Sequence, residues 1–282
     1  MTRESTEWSE DELQRFFKYL CRHLVAVVLA YKCRGDDGEL EKETHFACLT
    51  AFVISVGQHW YLVTAGHIID GWRPATRKDR PVQIVATALA DYFGIDATRT
   101  DPLRFNLFSL PTHHAWNQRE DIDFAVMLID EPLQTSLKQN GILPLPINEA
   151  RQDYEDFYGF GLVGFPEEYC GPEPSGDPTC RTAGVEPVLV PIRRDIRLSK
   201  STRDAAFVAD VVTMGTQKSV EGMSGGPVFG YLQGKDGWSQ YEVVAIQSQW
   251  NGIDKRIIAC PVVVALERVR ASIRAQQDEG LD

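Results

Sequence analysis

Gly222-Met223-Ser224-Gly225-Gly226-Pro227 sets one serine among glycines and closes the run with a proline. Glycine reaches backbone angles that a Cβ forbids and lets another segment approach closely. A hydroxyl in such a turn can stand clear of the chain while flanking N–H groups face a substrate oxygen. The same residues would also make a plain strand-to-strand turn, so the motif needs partners before it carries chemistry.

A nucleophilic serine needs a base, and the base needs an orienting carboxylate. Trp60 to Ile69 reads WYLVTAGHII, an apolar strand that runs into small residues and delivers His67 at its end. Asp121 to Ile129 reads DIDFAVMLI, in which a carboxylate opens a strongly apolar strand. His67 precedes Asp123 by 56 residues (123 − 67), and Ser224 follows Asp123 by 101 (224 − 123). The order is histidine, aspartate, serine.

That order discriminates among folds. GMSGG also fits the G-x-S-x-G elbow of α/β-hydrolases, whose histidine follows the serine. All 6 histidines here (His23, His45, His59, His67, His113 and His114) precede Ser224. The subtilisin order begins with the aspartate and belongs to an alternating α/β architecture, which the strand-rich pattern does not offer.

Three blocks, VTAGH, DFAVMLI and GMSGGPVF, resemble the motif blocks of the chymotrypsin/trypsin-like serine peptidases. They are similar to the bacterial trypsin-like branch, HtrA types included, over roughly residues 45–265. The resemblance implies an all-β fold of two antiparallel six-stranded β-barrels, with an N-terminal helical extension and a C-terminal helix. The divisions expected are a helical extension at 1–22, a first barrel at 23–131 with His67 and Asp123, a second at 132–265 with Ser224, and a helix and tail at 266–282.

The resemblance also implies roles. Ser224 Oγ attacks a peptide carbonyl of a protein or peptide substrate, His67 moves the proton, and Asp123 holds the imidazole. Asp121 is the alternative carboxylate, two residues away; Asp123 is preferred because it directly precedes the apolar run. The N–H groups of Gly222 and Ser224 would form the oxyanion hole. By offset from the serine, Lys218 falls at the base of the primary pocket, where it would favour an acidic side chain. Ser248, Gln249 and Trp250 would line the pocket edge. No metal and no cofactor is required. A protease-fold protein without turnover, latent until it docks to a regulatory protein partner, is the alternative; the N-terminal helix and the 70–120 excursion would serve such docking.

Composition bounds these readings. With 282 residues the chain can bury a large core, and 43% hydrophobic with 24% charged residues is ordinary for a globular protein. A net charge of −11 argues against general nucleic-acid binding. The acidic, amphipathic opening MTRESTEWSEDELQRFFKYL does not read as a signal peptide, and the apolar run Leu24 to Tyr31 is too short to cross a bilayer. The 6 cysteines show no metal-type C-x-x-C spacing, so free thiols and a cytoplasmic location are expected, with Cys170 and Cys180 the pair able to bridge across a Gly/Pro-rich loop.

Ser9 with Glu12 predicts a helix N-terminus, followed by Leu13, Phe16, Phe17 and Leu20 at helical spacing; a packing extension is the expected role. Strands are predicted near 23–33, 46–56, 59–64, 82–89, 103–110, 185–198 and 205–212, and His113-His114 is predicted to lie in a surface loop. The basic run Arg193, Arg194, Arg197, Lys200 and Arg203 is expected to be a solvated face.

Zymogens of the trypsin type have an aspartate before the serine to receive a new N-terminal ammonium. Met223 stands there and cannot accept that charge. Trimming the N-terminus is therefore expected to leave peptidase activity within a few-fold; a large rise on limited N-terminal proteolysis would refute this.

Overall fold

The computed structural model describes residues 10–76, 80–94, 97–99, 101–147, 154–172, 183–195, 206–214, 218–233 and 239–279. Two antiparallel β units carry most of them. The first contains β1 (Leu24–Cys33), β2 (His45–Val56), β3 (His59–Thr64), β4 (Val82–Ala90), β5 (Leu103–Arg104), β6 (Thr112–Asn117), β7 (Ile122–Ile129) and the short β8 (Leu145–Pro146). Their order is β5-β4-β1-β2-β3-β7-β6, with β8 parallel to β2. A two-stranded sheet, β10 (Cys170–Pro172) with β11 (Ala183–Val185), falls in sequence between the first two strands of the second unit. The second unit is a closed barrel of β9 (Gly159–Gly164), β12 (Val188–Arg194), β13 (Phe207–Val211), β14 (Pro227–Gln233), β15 (Ser239–Asn251) and β16 (Arg256–Pro261).

Strand alternation builds three cores from these elements. On β1, Leu24, Ala26 and Val28 face one core while Val25, Val27 and Leu29 face another. On β7, Phe124 and Val126 share the first of these cores, and Ala125, Met127 and Ile129 the second. The second core is the interior of the first unit, which also takes Leu133 and Leu137 of α3 (Glu131–Gln139). The first core lies between the units, because Val163, Phe165, Phe229 and Ile246 of the barrel join it. The third fills the barrel with Leu162, Val190, Phe207, Val228 and Ile257. A strand buried on both faces reads as a continuous apolar run, which is why LVAVVL looks as it does.

The second barrel closes as expected; the first does not among the described residues. The sequence predicts a strand over 103–110, but only Leu103–Arg104 pairs. The chain then turns into a 3₁₀ segment, Leu107–Ser109, whose Phe108 N–H donates to Asn106 Oδ1. Phe105, Leu107, Phe108 and Leu110 pack on the first unit's interior, so side chains seal this edge where a ladder would have closed it. His113 and His114 lie on β6, not in a loop, and His114 Nε2 meets Asp70 Oδ1 at 2.9 Å.

Both terminal helices pack. In α1 (Glu10–Cys21), Leu20 is buried and the Phe16 ring meets Tyr231 and Tyr241 edge-on at 5.3 and 5.7 Å. This is the packing extension expected; Ser9, the predicted cap, lies outside the described residues. In α4 (Val262–Glu279), Val262, Ala265, Leu266 and Val269 are buried at helical spacing. Among the described residues no helix is long and apolar enough to cross a membrane. Cys21, Cys33, Cys48, Cys170 and Cys260 are free thiols. Cys170 is hydrogen-bonded to Cys48, and this contact, with burial, holds the Cys48 thiol well above its ordinary range. Cys180, Arg197, Lys200 and Arg203 lie outside the described residues.

His23, in the turn just before β1, is buried and spans the units. Its Nδ1 donates to Leu143 O at 2.8 Å, so Nε2 is the acceptor for Tyr241 Oη–H, also at 2.8 Å. Burial lowers its pKa to about 4, with the Leu143 contact opposing and the Arg22 charge adding to the drop. Unfolded histidine titrates near 6.5, so the unfolded chain binds the extra proton first as pH falls. Stability should thus be full above about pH 6.5 and fall by on the order of 3 kcal/mol as pH drops towards 4. Urea unfolding of wild type and His23→Gln at pH 7 and pH 4.5 checks this: the wild type should lose more on acidification. Equal losses would show that His23 is not the source.

Candidate active site

β3 and β7 are antiparallel neighbours with Thr64 opposite Ala125. The residues just beyond the end of β3 therefore lie opposite the start of β7. His67 is the second residue of α2 (Gly66–Trp72), and Asp123 is the second of β7. Asp123 Oδ1 accepts the His67 backbone N–H at 2.9 Å, and Oδ2 accepts Nδ1–H at 2.6 Å. Two contacts to one carboxylate fix both the ring and the backbone beneath it, and place the acceptor lone pair on Nε2. Ser248 Oγ donates to the same Oδ2 at 2.5 Å. Asp123 is 2% exposed, so these donors stand in for water. Asp121 takes no part in this cluster: it sits in the turn before β7 at φ 52°, and burial raises its pKa.

Ser224 occupies the turn before β14. Gly222 at φ +85° and Gly225 at φ +88° take backbone angles that side-chain-bearing residues rarely reach. A Cβ on Gly225 would also collide with Thr64 Oγ1 and the Thr50 carbonyl. The turn is held by its carbonyls. Glu221 O accepts Glu167 N–H at 2.8 Å, and Met223 O accepts Gly226 N–H at 2.9 Å. In a trans peptide the following N–H points the opposite way. The N–H groups of Gly222 and Ser224 are therefore turned away from these contacts, and neither meets an acceptor among the described residues. Two backbone donors, separated by one residue, are thus unpaired among the described residues.

Thr50, buried on β2, ties this turn to the first unit. Its hydroxyl donates to Gly222 O at 3.0 Å and accepts Phe165 N–H at 2.9 Å. Its carbonyl accepts Thr64 Oγ1–H at 2.7 Å. Nothing in the sequence marked Thr50, since one threonine in an apolar strand is unremarkable.

Ser224 Oγ donates to Ser248 O at 3.3 Å, not to His67. The His67 ring is about one-third exposed, and the Trp116 ring stands 6.2 Å from it. Ser248 thus touches both sides of the site, with its hydroxyl on Asp123 and its carbonyl at Ser224; the sequence placed it only at a pocket edge. Gln249 and Trp250 are half-buried beside it. Lys218 is exposed, and its backbone N–H donates to Glu168 Oε1 at 2.7 Å. Met223 is fully buried in the barrel core, an environment with no place for a charged partner.

The described residues also bring ligating atoms of Cys33, Glu41 and His45 within 4.8 Å of one another, where the sequence suggested no metal. This cluster shares no residue with the site around Ser224.

No family model matches the chain, and no curated protein matches it. Solved structures do match. The protease Anisep from Arthrobacter nicotinovorans is 12% identical, with a TM-score of 0.42, over 85% of this chain and 90% of its own. A Glu endopeptidase is 11% identical, with a TM-score of 0.45, over 86% and 89%. Deg5 is 13% identical, with a TM-score of 0.43, over 93% and 94%.

Replacing Thr50 by valine keeps the shape and removes the hydroxyl, leaving Phe165 N–H and Gly222 O without their buried partner. Thr50→Val is expected to lower unfolding free energy by roughly 2 kcal/mol. Denaturant titration measures this; an unchanged midpoint would show that the hydroxyl ties nothing together.

Proposed function

We propose that the protein is a serine endopeptidase that cleaves protein or peptide substrates through an acyl-enzyme, with Ser224, His67 and Asp123 as its catalytic residues. The observation that supports this reading is the doubly held His67–Asp123 pair, joined through Ser248 to a serine turn whose Gly222 and Ser224 N–H groups are unpaired among the described residues.

Ser224 Oγ attacks the substrate carbonyl carbon while His67 Nε2 accepts its proton. Asp123 keeps the imidazole in the tautomer that leaves Nε2 free and stabilises the imidazolium that forms. Charge developing on the carbonyl oxygen is met by the N–H groups of Gly222 and Ser224. His67 then hands its proton to the leaving amine. Water repeats the sequence on the acyl-enzyme and frees Ser224.

One contact favours a second reading, in which the enzyme is latent. Ser224 Oγ is bonded to Ser248 O, so the hydroxyl must leave that carbonyl before it can give its proton to His67. The latent protein would wait for substrate, or a partner protein, to take that carbonyl and release the hydroxyl.

Labelling with a fluorophosphonate separates the two readings. The wild type is expected to label and Ser224→Ala and His67→Ala to fail. Wild type that labels only after a substrate or partner is added would establish latency, and no labelling under either condition would refute the peptidase. In peptide hydrolysis, Asp123→Asn should reduce turnover by about 10⁴-fold through loss of the correct tautomer.

A further inference from the structure

Tyr31 and His45 are register partners at the loop end of β1 and β2, so their side chains share one face of the sheet. Cys33, two residues past Tyr31, lies on that face as well. Glu41 reaches it from the connecting loop. Its N–H donates to Cys33 O at 2.9 Å, Arg34 forms a bridge with Leu40, and Gly35 N–H donates to Glu39 O at 2.9 Å. The loop thus prolongs the hairpin and holds Glu41 beside the end of β1. Cys33 Sγ, a Glu41 carboxylate oxygen and a His45 ring nitrogen lie within 4.8 Å of one another, with Glu41 Oε2 3.1 Å from His45 Nε2. A hydrogen bond between Glu41 and His45 accounts for two of these groups and not for the thiol beside them.

The three groups are held on ordered backbone. Cys33 is paired with Val82 of β4, and the His45 ring lies 5.5 Å from that of Tyr31, which meets Trp72 of α2 at 5.1 Å. Cys33 and His45 are half-buried and Glu41 is exposed, so an ion can enter from solvent on the Glu41 side. Residues 34–44 carry five carboxylates and two cationic side chains, a local field that attracts a divalent cation.

We propose that Cys33, Glu41 and His45 form a zinc site, with three protein ligands and the fourth tetrahedral position left to water. A thiolate, an imidazole and a carboxylate suit Zn²⁺, whereas Ca²⁺ and Mg²⁺ call for oxygen throughout. Zinc–ligand bonds of about 2.0–2.3 Å put tetrahedral ligand atoms roughly 3.3–3.8 Å apart. The Glu41–His45 separation is already close to that span, and a closure of about 1 Å by the thiol, within reach of a side-chain torsion, completes it. On binding, Cys33 releases its thiol proton to solvent. Zinc takes the place of the proton between His45 Nε2 and Glu41 Oε2, leaving the ring proton on Nδ1. The ion then clips the loop to both strands of the hairpin. No residue is shared with the site around Ser224, so the proposal stands apart from the peptidase reading.

The test uses the full chain, stripped of metal by a chelator and kept reduced. Zinc is titrated against a chromophoric chelator, and cobalt(II) is followed by absorption. The wild type should take up one equivalent of zinc with a Kd of about 10 μM or tighter. Cobalt should give a thiolate-to-metal charge-transfer band in the near ultraviolet. Cys33→Ser should abolish that band, and Cys33→Ser, Glu41→Gln and His45→Gln should each weaken zinc binding at least about 10-fold. None of the three residues belongs to a core cluster, so these variants are expected to fold, and the wild-type cobalt spectrum needs no variant. His67→Ala and Cys48→Ser, which alter another histidine and another thiol, should leave the affinity within about 2-fold, and about 1 mM calcium or magnesium should not compete. Weaker zinc binding, a cobalt spectrum without the thiolate band, or an affinity unchanged in Cys33→Ser or His45→Gln would overturn the site.

Discussion

The hydroxyl of Thr50 is the contact on which the site's geometry depends. It is fully buried on the central strand of the first unit, yet both its hydrogen bonds go to the segments that shape the serine turn. One end fixes Phe165, two residues before the Glu167 N–H that holds Glu221 O; the other fixes Gly222 itself. A hydroxyl can do this because it donates and accepts at one atom. In a core otherwise made of Val163, Phe165, Phe229 and Ile246, that one polar group is directional where the packing around it is not. Packing brings the two units together; Thr50, with His23 bonded to Leu143 O and Tyr241 Oη, gives their apposition a register.

From that register the rest of the site follows. The first unit presents an imidazole already clamped by Asp123, because the ladder between β3 and β7 sets the two residues opposite each other. The second unit presents a turn in which the carbonyls of Glu221, Gly222 and Met223 are engaged, while the N–H groups of Gly222 and Ser224 are unpaired among the described residues. Ser248 joins the two halves, bonding Asp123 with its hydroxyl and Ser224 with its carbonyl.

Much of this was legible in the chain. VTAGH, DFAVMLI and GMSGGPVF are local signals: a strand delivering a histidine, a carboxylate opening a strand, a glycine-flanked serine. Each needs only nearby residues to be read. Strands β1, β2, β3 and β7 were legible for the same reason, since period-two and all-apolar runs reflect burial on one face or two. The reading was wrong where side chains from elsewhere settled the outcome. The 103–110 segment looks like a strand, but Phe105, Leu107 and Phe108 find the first unit's interior more readily in a 3₁₀ turn. His113 and His114 looked like loop residues because their polarity hid an edge strand.

The sequence by itself determined the all-β class, the terminal helices, the identities of the candidate base, carboxylate and nucleophile, and the charge-free Met223 beside the serine. These depend on residue type and local order. Only the tertiary structure decided that Asp123 holds both the ring and the backbone N–H of His67, that Ser224 turns to Ser248 O, that Thr50 joins the units, and that the Gln247 amide is buried with no partner among the described residues. The physical reason is common to all four. A hydrogen bond acts over about 3 Å and needs a particular direction, and the partners here lie tens of residues apart or more. No local pattern encodes such a meeting, which the folding of one sheet against the other creates.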